Sequence, residues 1–154
     1  HHLRTSPIGY PRTCMPFGTD DPRQITPSQV RDAAATGRST ISGGLFMTVE
    51  AAGGARPGDT VPKSTSATLT VTVEGPSWIR GESLEVFVNG ESVQTVALMP
   101  IGAGPSNRYV NEVTVNLPDG PRAWVVFHAK GEGDLAPLHA GRHAFAVSNP
   151  VYFE

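Results

Sequence analysis

The sequence predicts a mainly β protein, an antiparallel, immunoglobulin-like β-sandwich preceded by a loop and one short helix. Three observations carry this reading. Glycine and proline number 17 and 14 in 154 residues, about one residue in five, which disfavours long helices and suits short strands joined by turns. After Gly37 the hydrophobic period changes from helical to two. From there about seven or eight short apolar or alternating segments follow one another, with turn signals between them and no helical pattern.

Residues 3–25 have no period, because Pro7, Gly9, Pro11, Pro16, Gly18 and Pro22 interrupt every window, so this stretch is extended or looping. A helix is predicted over 27–36. Thr26 can cap it, Pro27 suits its first position, Val30, Ala33 and Ala34 give a narrow apolar face, and Gly37 can close it. Leu45 to Val49 reads as a strand and residues 51–63 as a loop. Leu69, Val71 and Val73 alternate with Thr68, Thr70 and Thr72, as in a half-buried strand. Leu84, Val86 and Val88 form the next strand, and Asn89-Gly90 closes a two-residue hairpin, since both residues tolerate the positive φ of a type I′ turn. Val93, Val96 and Leu98 lie in the return strand, and residues 102–107 form a loop. Val110, Val113, Val115 and Leu117 lie in a further strand, where the spacing after Val110 predicts a bulge. Pro118 to Pro121 is a turn, and Ala123 to Phe127 reads as a strand buried on both faces. Residues 130–142 form a loop, and the last two strands, 144–147 and 151–153, are divided by Asn149-Pro150. No repeat period points to a solenoid or propeller.

Composition narrows the function. Hydrophobic residues are 38% and charged residues 17%, as in a globular domain long enough to bury a core. A net charge of −2 provides no basic field for nucleic acid or an anionic membrane. The single Cys14 allows neither an internal disulfide nor a Cys-based zinc cluster. No apolar run approaches the ~18 residues of a membrane span.

Few residues suggest chemistry on their own. His139 and His143 stand four apart, but a metal pair at that spacing needs a helix, and this segment reads as loop. Exposed loop histidines are the favoured reading there, and His128 ends a strand. Cys14 has no recognisable base and reads as a chance thiol. Asp20-Asp21, Asp59 and Asp119 read as turn residues. Trp124 is expected in the core. Trp78 is expected to plug the open end of the sandwich or, if exposed, to stack on a sugar ring. Arg4, Arg12 and Arg23 are denser in the first 25 residues than elsewhere, and with Tyr10 and His1-His2 they form a candidate anion-facing surface. His1-His2 reads either as the remnant of a purification tag or as the cut end of a longer chain.

The segment His1-His2-Leu3 … Gly9-Tyr10-Pro11-Arg12-Thr13 resembles the end of the catalytic domain in bacterial polymerase-and-histidinol-phosphatase-like (PHP) metal-dependent phosphoesterases, in particular the branch named for carbaryl and methylcarbamate hydrolases. The order of later blocks agrees: Thr26-Pro27 at a helix start, Gly37-Arg38, Gly43-Gly44-Leu45-Phe46, Pro57-Gly58-Asp59-Thr60 and the closing Asn149-Pro150-Val151-Tyr152. The resemblance favours the cut end over the tag. It implies that residues 1–37 are the tail of a metallohydrolase domain and that residues 38–154 are a C-terminal β-sandwich bracing that domain. It further implies a divalent Zn, Mn or Fe in the full-length parent. His1 would be a metal ligand if an Asp-x-His motif is completed upstream, and Arg12 would be either an anion clamp beside the metal site or a partner in a structural ion pair. The expected partner is the upstream catalytic domain of the same polypeptide, with a dimer as a further possibility; many relatives of this kind look exported. With the other ligand motifs missing, the chain itself is expected to be inactive and to hold no metal tightly. The rival reading is a free-standing binding module for a glycan or a protein partner.

Overall fold

The period change at Gly37 marks a structural corner. Upstream of it, helix α1 (Pro27–Ala35) starts with a capping box: the Thr26 hydroxyl accepts from the Gln29 N–H at 3.3 Å, and Gln29 Oε1 accepts from the Thr26 N–H at 2.7 Å. It ends at Gly37, which takes the expected positive φ of 71°. Of its predicted apolar face only Ala33 is buried, while Val30 is 41% exposed. The computed structural model describes residues 10–101 and 105–154.

Among the described residues, eleven strands make two sheets. The smaller runs β3 (Phe46–Glu50), β5 (Ser66–Pro76), β8 (Ser106–Asn116), all antiparallel. In the larger, β9 (Ala123–Gly131) is central. On one side it pairs with β6 (Gly81–Val88), which pairs with β7 (Glu91–Ala97). On the other side it pairs with β10 (Phe145–Ser148) and β11 (Val151–Phe153), one after the other. Beyond these lie β2 (Thr40–Gly43) against β10, β1 (Arg12–Cys14) against β2, and β4 (Thr60–Val61), parallel to β11. Two mainly antiparallel sheets packed face to face make the β-sandwich that the sequence predicts. No helix among the described residues is long and apolar enough to cross a membrane.

Alternation puts one side of each strand into a shared core. Leu69, Val71 and Val73 from β5 meet Leu84 and Val86 from β6 and Val125 and Phe127 from β9, all fully buried. Each such side chain contributes ~1.5–3 kcal/mol. Asn89 and Gly90 have φ of 51° and 89°, as the predicted hairpin turn requires. Asn89 also fastens the turn to β9: its Oδ1 accepts from the Trp124 N–H at 2.9 Å, and its own N–H donates to the Trp124 carbonyl at 3.0 Å.

Three expectations are corrected. No bulge follows Val110, because β8 pairs with β5 in continuous register from Ser106 to Asn116. The inward residue is Tyr109, whose buried hydroxyl accepts from the Gly81 N–H at 2.8 Å, and Val110 faces outward. Trp124 is half-buried on the outer face of the larger sheet, since only alternate residues of β9 reach the core. Trp78 does not plug the sandwich: it is 59% exposed, and its neighbour Ile79, 3% exposed, fills that end of the core.

Asn149-Pro150, which breaks the last strand, forms a buckle. Asn149 Nδ2 donates to the Gly37 carbonyl at 3.0 Å and to Ser39 Oγ at 2.8 Å, and the Pro150 carbonyl accepts from the Gly58 N–H at 2.8 Å. Arg38 pairs with Asp59 at 2.8 Å beside it. The corner after α1 is thereby held against the sandwich.

Candidate functional site on the outer face of the larger sheet

The two outer faces differ in chemistry. On the smaller sheet, outward positions carry Thr48, Thr70, Thr72 and Thr114 with Glu50, Glu74, Arg108 and Glu112, beside two exposed apolar side chains, Phe46 and Val110. On the larger sheet, register places Ile41, Val147 and His128 in one row, Phe145 and Lys130 in the next, Phe87 beside Val126, and Tyr152 beside Trp124. All of these are half-buried or exposed, so the larger sheet presents an apolar and aromatic face to the outside. Monomers seldom leave such a face uncovered.

The first described residue, Tyr10, lies on this face. Its ring packs edge-on against Phe145 at 5.9 Å and tilted against His139 at 5.2 Å, and the Arg142 guanidinium stands 5.9 Å from its centroid. Its hydroxyl donates to the His143 carbonyl at 2.6 Å. Partial burial holds the Tyr10 phenol above its ordinary range, opposed by Arg142. Around this ring opens a hollow of about 430 Å³, walled by Tyr10, Phe145, His128, Lys130, Arg142 and His143, among others.

Electrostatics divides the hollow. His128 packs edge-on against Phe145 at 6.3 Å, and burial, then Lys130, lowers its pKa against the opposing pull of Glu85. Lys130 Nζ is 2.7 Å from Glu85 Oε2, and the Ser92 hydroxyl donates to Glu85 Oε1 at 2.8 Å. These two bonds, the lysine first, lower the Glu85 pKa. The wall of the hollow is thus aromatic, with Lys130 already paired to Glu85 and Glu82 also on the lining. The sequence did not expose this site, because the apolar run 123–127 reads as a strand buried twice, and Tyr10 meets residues more than 120 positions away.

A second hollow, of about 720 Å³, lies between Cys14–Gly18 and the free edge of β3, with Arg38, Arg56 and Asp59 at its rim. The backbone N–H of Arg56, above all, and Arg38 lower the pKa of Asp59. Arg12 is exposed on β1, on the same side of the strand as Cys14, and does not line either hollow. Arg23 is engaged by Asp21 at 3.0 Å, and Arg4 and His1 lie outside the described residues. Tyr10 therefore joins Arg142, and neither Arg12 nor Arg23 stands over its ring.

His139 and His143 do not form a metal pair: His143 Nδ1 bonds the Gly133 carbonyl at 2.7 Å and His139 stacks on Tyr10. Among the described residues no group of three or more His, Cys, Asp or Glu side chains is placed to hold a metal ion.

Trp78 crowns the turn after β5. The Ile79 N–H donates to the Pro76 carbonyl at 2.9 Å, and Asn107 Nδ2 donates to the Ile79 carbonyl at 2.7 Å. The turn is fixed while the indole stays in solvent. No family profile, curated protein or solved structure matches the chain.

Proposed function

We propose that this chain is the C-terminal accessory β-sandwich of a metal-dependent, phosphoesterase-like hydrolase, with the outer face of its larger sheet packed against a catalytic domain upstream in the same polypeptide. The observation that carries this reading is the place of Tyr10. Tyr10, within the segment that resembles the end of the catalytic domain, packs on the apolar sheet face against Phe145 and bonds the His143 carbonyl, which supports an upstream domain seated on that face. Residues 10–37 belong to the junction: β1 extends the larger sheet, and Asn149 fixes the corner behind α1.

In this reading the metal, a divalent Zn, Mn or Fe, is held by the upstream domain, with His1 as one ligand of an Asp-x-His motif. The metal would supply Lewis-acid activation of water. Arg12, exposed on β1, is the anion clamp that reaches toward the substrate's charged group. The test is the natural polypeptide. Asp-Ser directly before His1, further His and Asp clusters upstream, and metal-dependent hydrolysis of a phosphate ester support the reading. A natural chain that starts near Leu3 overturns it. In the full-length protein, Arg12→Ala lowers turnover of an anionic substrate at constant metal content; an unchanged rate removes Arg12 from the site.

A second reading, a free-standing glycan-binding module, is favoured by the 59% exposure of Trp78. Binding to a glycan panel that disappears in Trp78→Ala would establish it in place of the first.

A further inference from the structure

The larger of the two hollows, about 720 Å³, has an unpaired strand edge for one wall. That edge belongs to β3, which is bonded to β5 on its other side. Which of its backbone groups face the hollow follows from its two ends. The Leu45 carbonyl accepts from Ser42 Oγ at 2.6 Å, and the Ala51 N–H donates to the Ala55 carbonyl at 2.7 Å, both away from β5. In an antiparallel ladder the N–H and C=O of one residue point the same way, and the direction alternates along the strand. Met47 and Val49 therefore turn N–H and C=O into the hollow, while Phe46, Thr48 and Glu50 bond to β5. The far side of β5 agrees. The Thr65 carbonyl accepts from the Leu117 N–H at 2.9 Å, so odd-numbered residues of β5 face β8. The even-numbered Thr70, Thr72 and Glu74 then face β3, opposite Glu50, Thr48 and Phe46. No partner meets the outward groups of Met47 and Val49 among the described residues, although these residues are only 1% and 3% exposed.

The other walls leave room for one strand. β3 packs over β10 and β2, and β1 lies beyond them, so the larger sheet forms a floor past the edge of β3. Register puts Thr40 and Cys14 side by side on that floor. After Cys14 the chain passes along the far side of the hollow without bonding to β3. Pro16 has no N–H to offer there, and Gly18 turns the chain with a φ of 69°. The volume lies within the roughly 300–1,000 Å³ of ligand sites. The charges around it balance, Arg38 and Arg56 against Glu50 and Asp59, so no net field selects a polyanion or a polycation. Alternating free N–H and C=O groups along a strand edge are the recognition pattern of another main chain.

We propose that this groove binds an extended segment of another polypeptide, which adds antiparallel to the smaller sheet beside β3. Its residues opposite Met47 and Val49 each exchange two main-chain bonds with them. Their side chains turn toward Thr40 and Cys14, which suits small or β-branched residues. The residue between them lies on the outer side beside Thr48, where a threonine gives a favourable cross-strand pair. The floor beneath leaves no depth for a second layer, so the occupant is a free segment and not the edge of a folded sandwich. This inference does not depend on the function proposed above.

Amide hydrogen exchange, followed by NMR on the chain as it stands, tests the proposal. In the free protein the Met47 and Val49 amides are expected to exchange much faster than the Thr48 amide between them, which is paired with Thr72. The probe is the peptide acetyl-Lys-Thr-Val-Thr-Val-Thr-Lys-amide, its terminal lysines serving solubility. At millimolar concentration it is expected to slow exchange at Met47 and Val49 roughly tenfold or more. It is also expected to slow alkylation of Cys14 by iodoacetamide. The same peptide N-methylated at both valines lacks the donors that face β3 and is expected to do neither. Met47 and Val49 amides as protected as Thr48 in the free chain overturn the proposal. So does a probe that leaves their exchange unchanged, or an N-methylated peptide that slows it equally.

Discussion

The Tyr10 hydroxyl donates a 2.6 Å hydrogen bond to the main-chain carbonyl of His143, 133 positions further along the chain. This contact ties the segment before β1 to the loop before β10. Tyr10→Phe keeps the ring contacts with Phe145 and His139 and removes only the bond. Because the bond is exposed to solvent, the expected cost is ~0.5–1 kcal/mol by urea denaturation. Tyr10→Ala, which also removes the ring from the sheet face, is expected to cost more.

Trp78 and Ile79 are neighbours with opposite roles. Ile79→Ala opens a cavity at the end of the core and is expected to cost ~2–5 kcal/mol. Trp78→Ala is expected to stay within about 0.5 kcal/mol of the unsubstituted chain, since its indole lies in solvent. Thermal or urea unfolding of the two variants side by side checks both. A large loss for Trp78→Ala would show that the indole packs against the core.

Asn149 fastens the corner behind α1 with two side-chain bonds, to Gly37 and Ser39. Asn149→Ala is expected to cost ~1–3 kcal/mol and to speed amide exchange at residues 37–39. Gly58→Ala is expected to be worse. Gly58 has a φ of +92°, and a methyl group there would run into the Thr36 carbonyl.

His128 gives the fold a pH dependence. Its pKa is lowered from 6.5 by burial first and by Lys130 second, while Glu85, directly opposite in the ladder, partly offsets both. The other side chains against it, Phe145 and Val147, carry no charge. Below pH 6.5 the unfolded chain binds a proton that the folded chain refuses, so stability falls as pH drops from 6.5 through the lowered folded value. His128→Gln removes this contribution and is expected to flatten the decline between pH 7 and pH 5. A decline equally steep in the variant would place its origin elsewhere.

Much of the fold is legible in the sequence because its signals are local. Thr26-Pro27 starts a helix, Asn89-Gly90 turns a hairpin, and the Thr/Leu/Val alternation of β5 lays down a strand with one buried side. What is not legible depends on distant partners. Tyr109 takes the inward place that Val110 seems to claim, because the Gly81 N–H waits there for its hydroxyl. The run Ala123–Phe127 looks buried on both faces, because periodicity cannot separate a second core face from an apolar face left open to a partner. Nothing near Tyr10 in sequence announces Phe145, Arg142 or His143.

The central claim is that a catalytic domain covers the outer face of the larger sheet. Hydroxyl-radical footprinting of the natural polypeptide tests it with an internal control. Tyr152 on that face and Phe46 on the opposite face are almost equally exposed in the sandwich, at 38% and 37%. The account predicts that Tyr152 and Trp124 are oxidised several-fold more slowly than they are in the sandwich alone, while Phe46 and Trp78 keep their reactivity. Equal reactivity of Tyr152 and Phe46 in the natural polypeptide would contradict it.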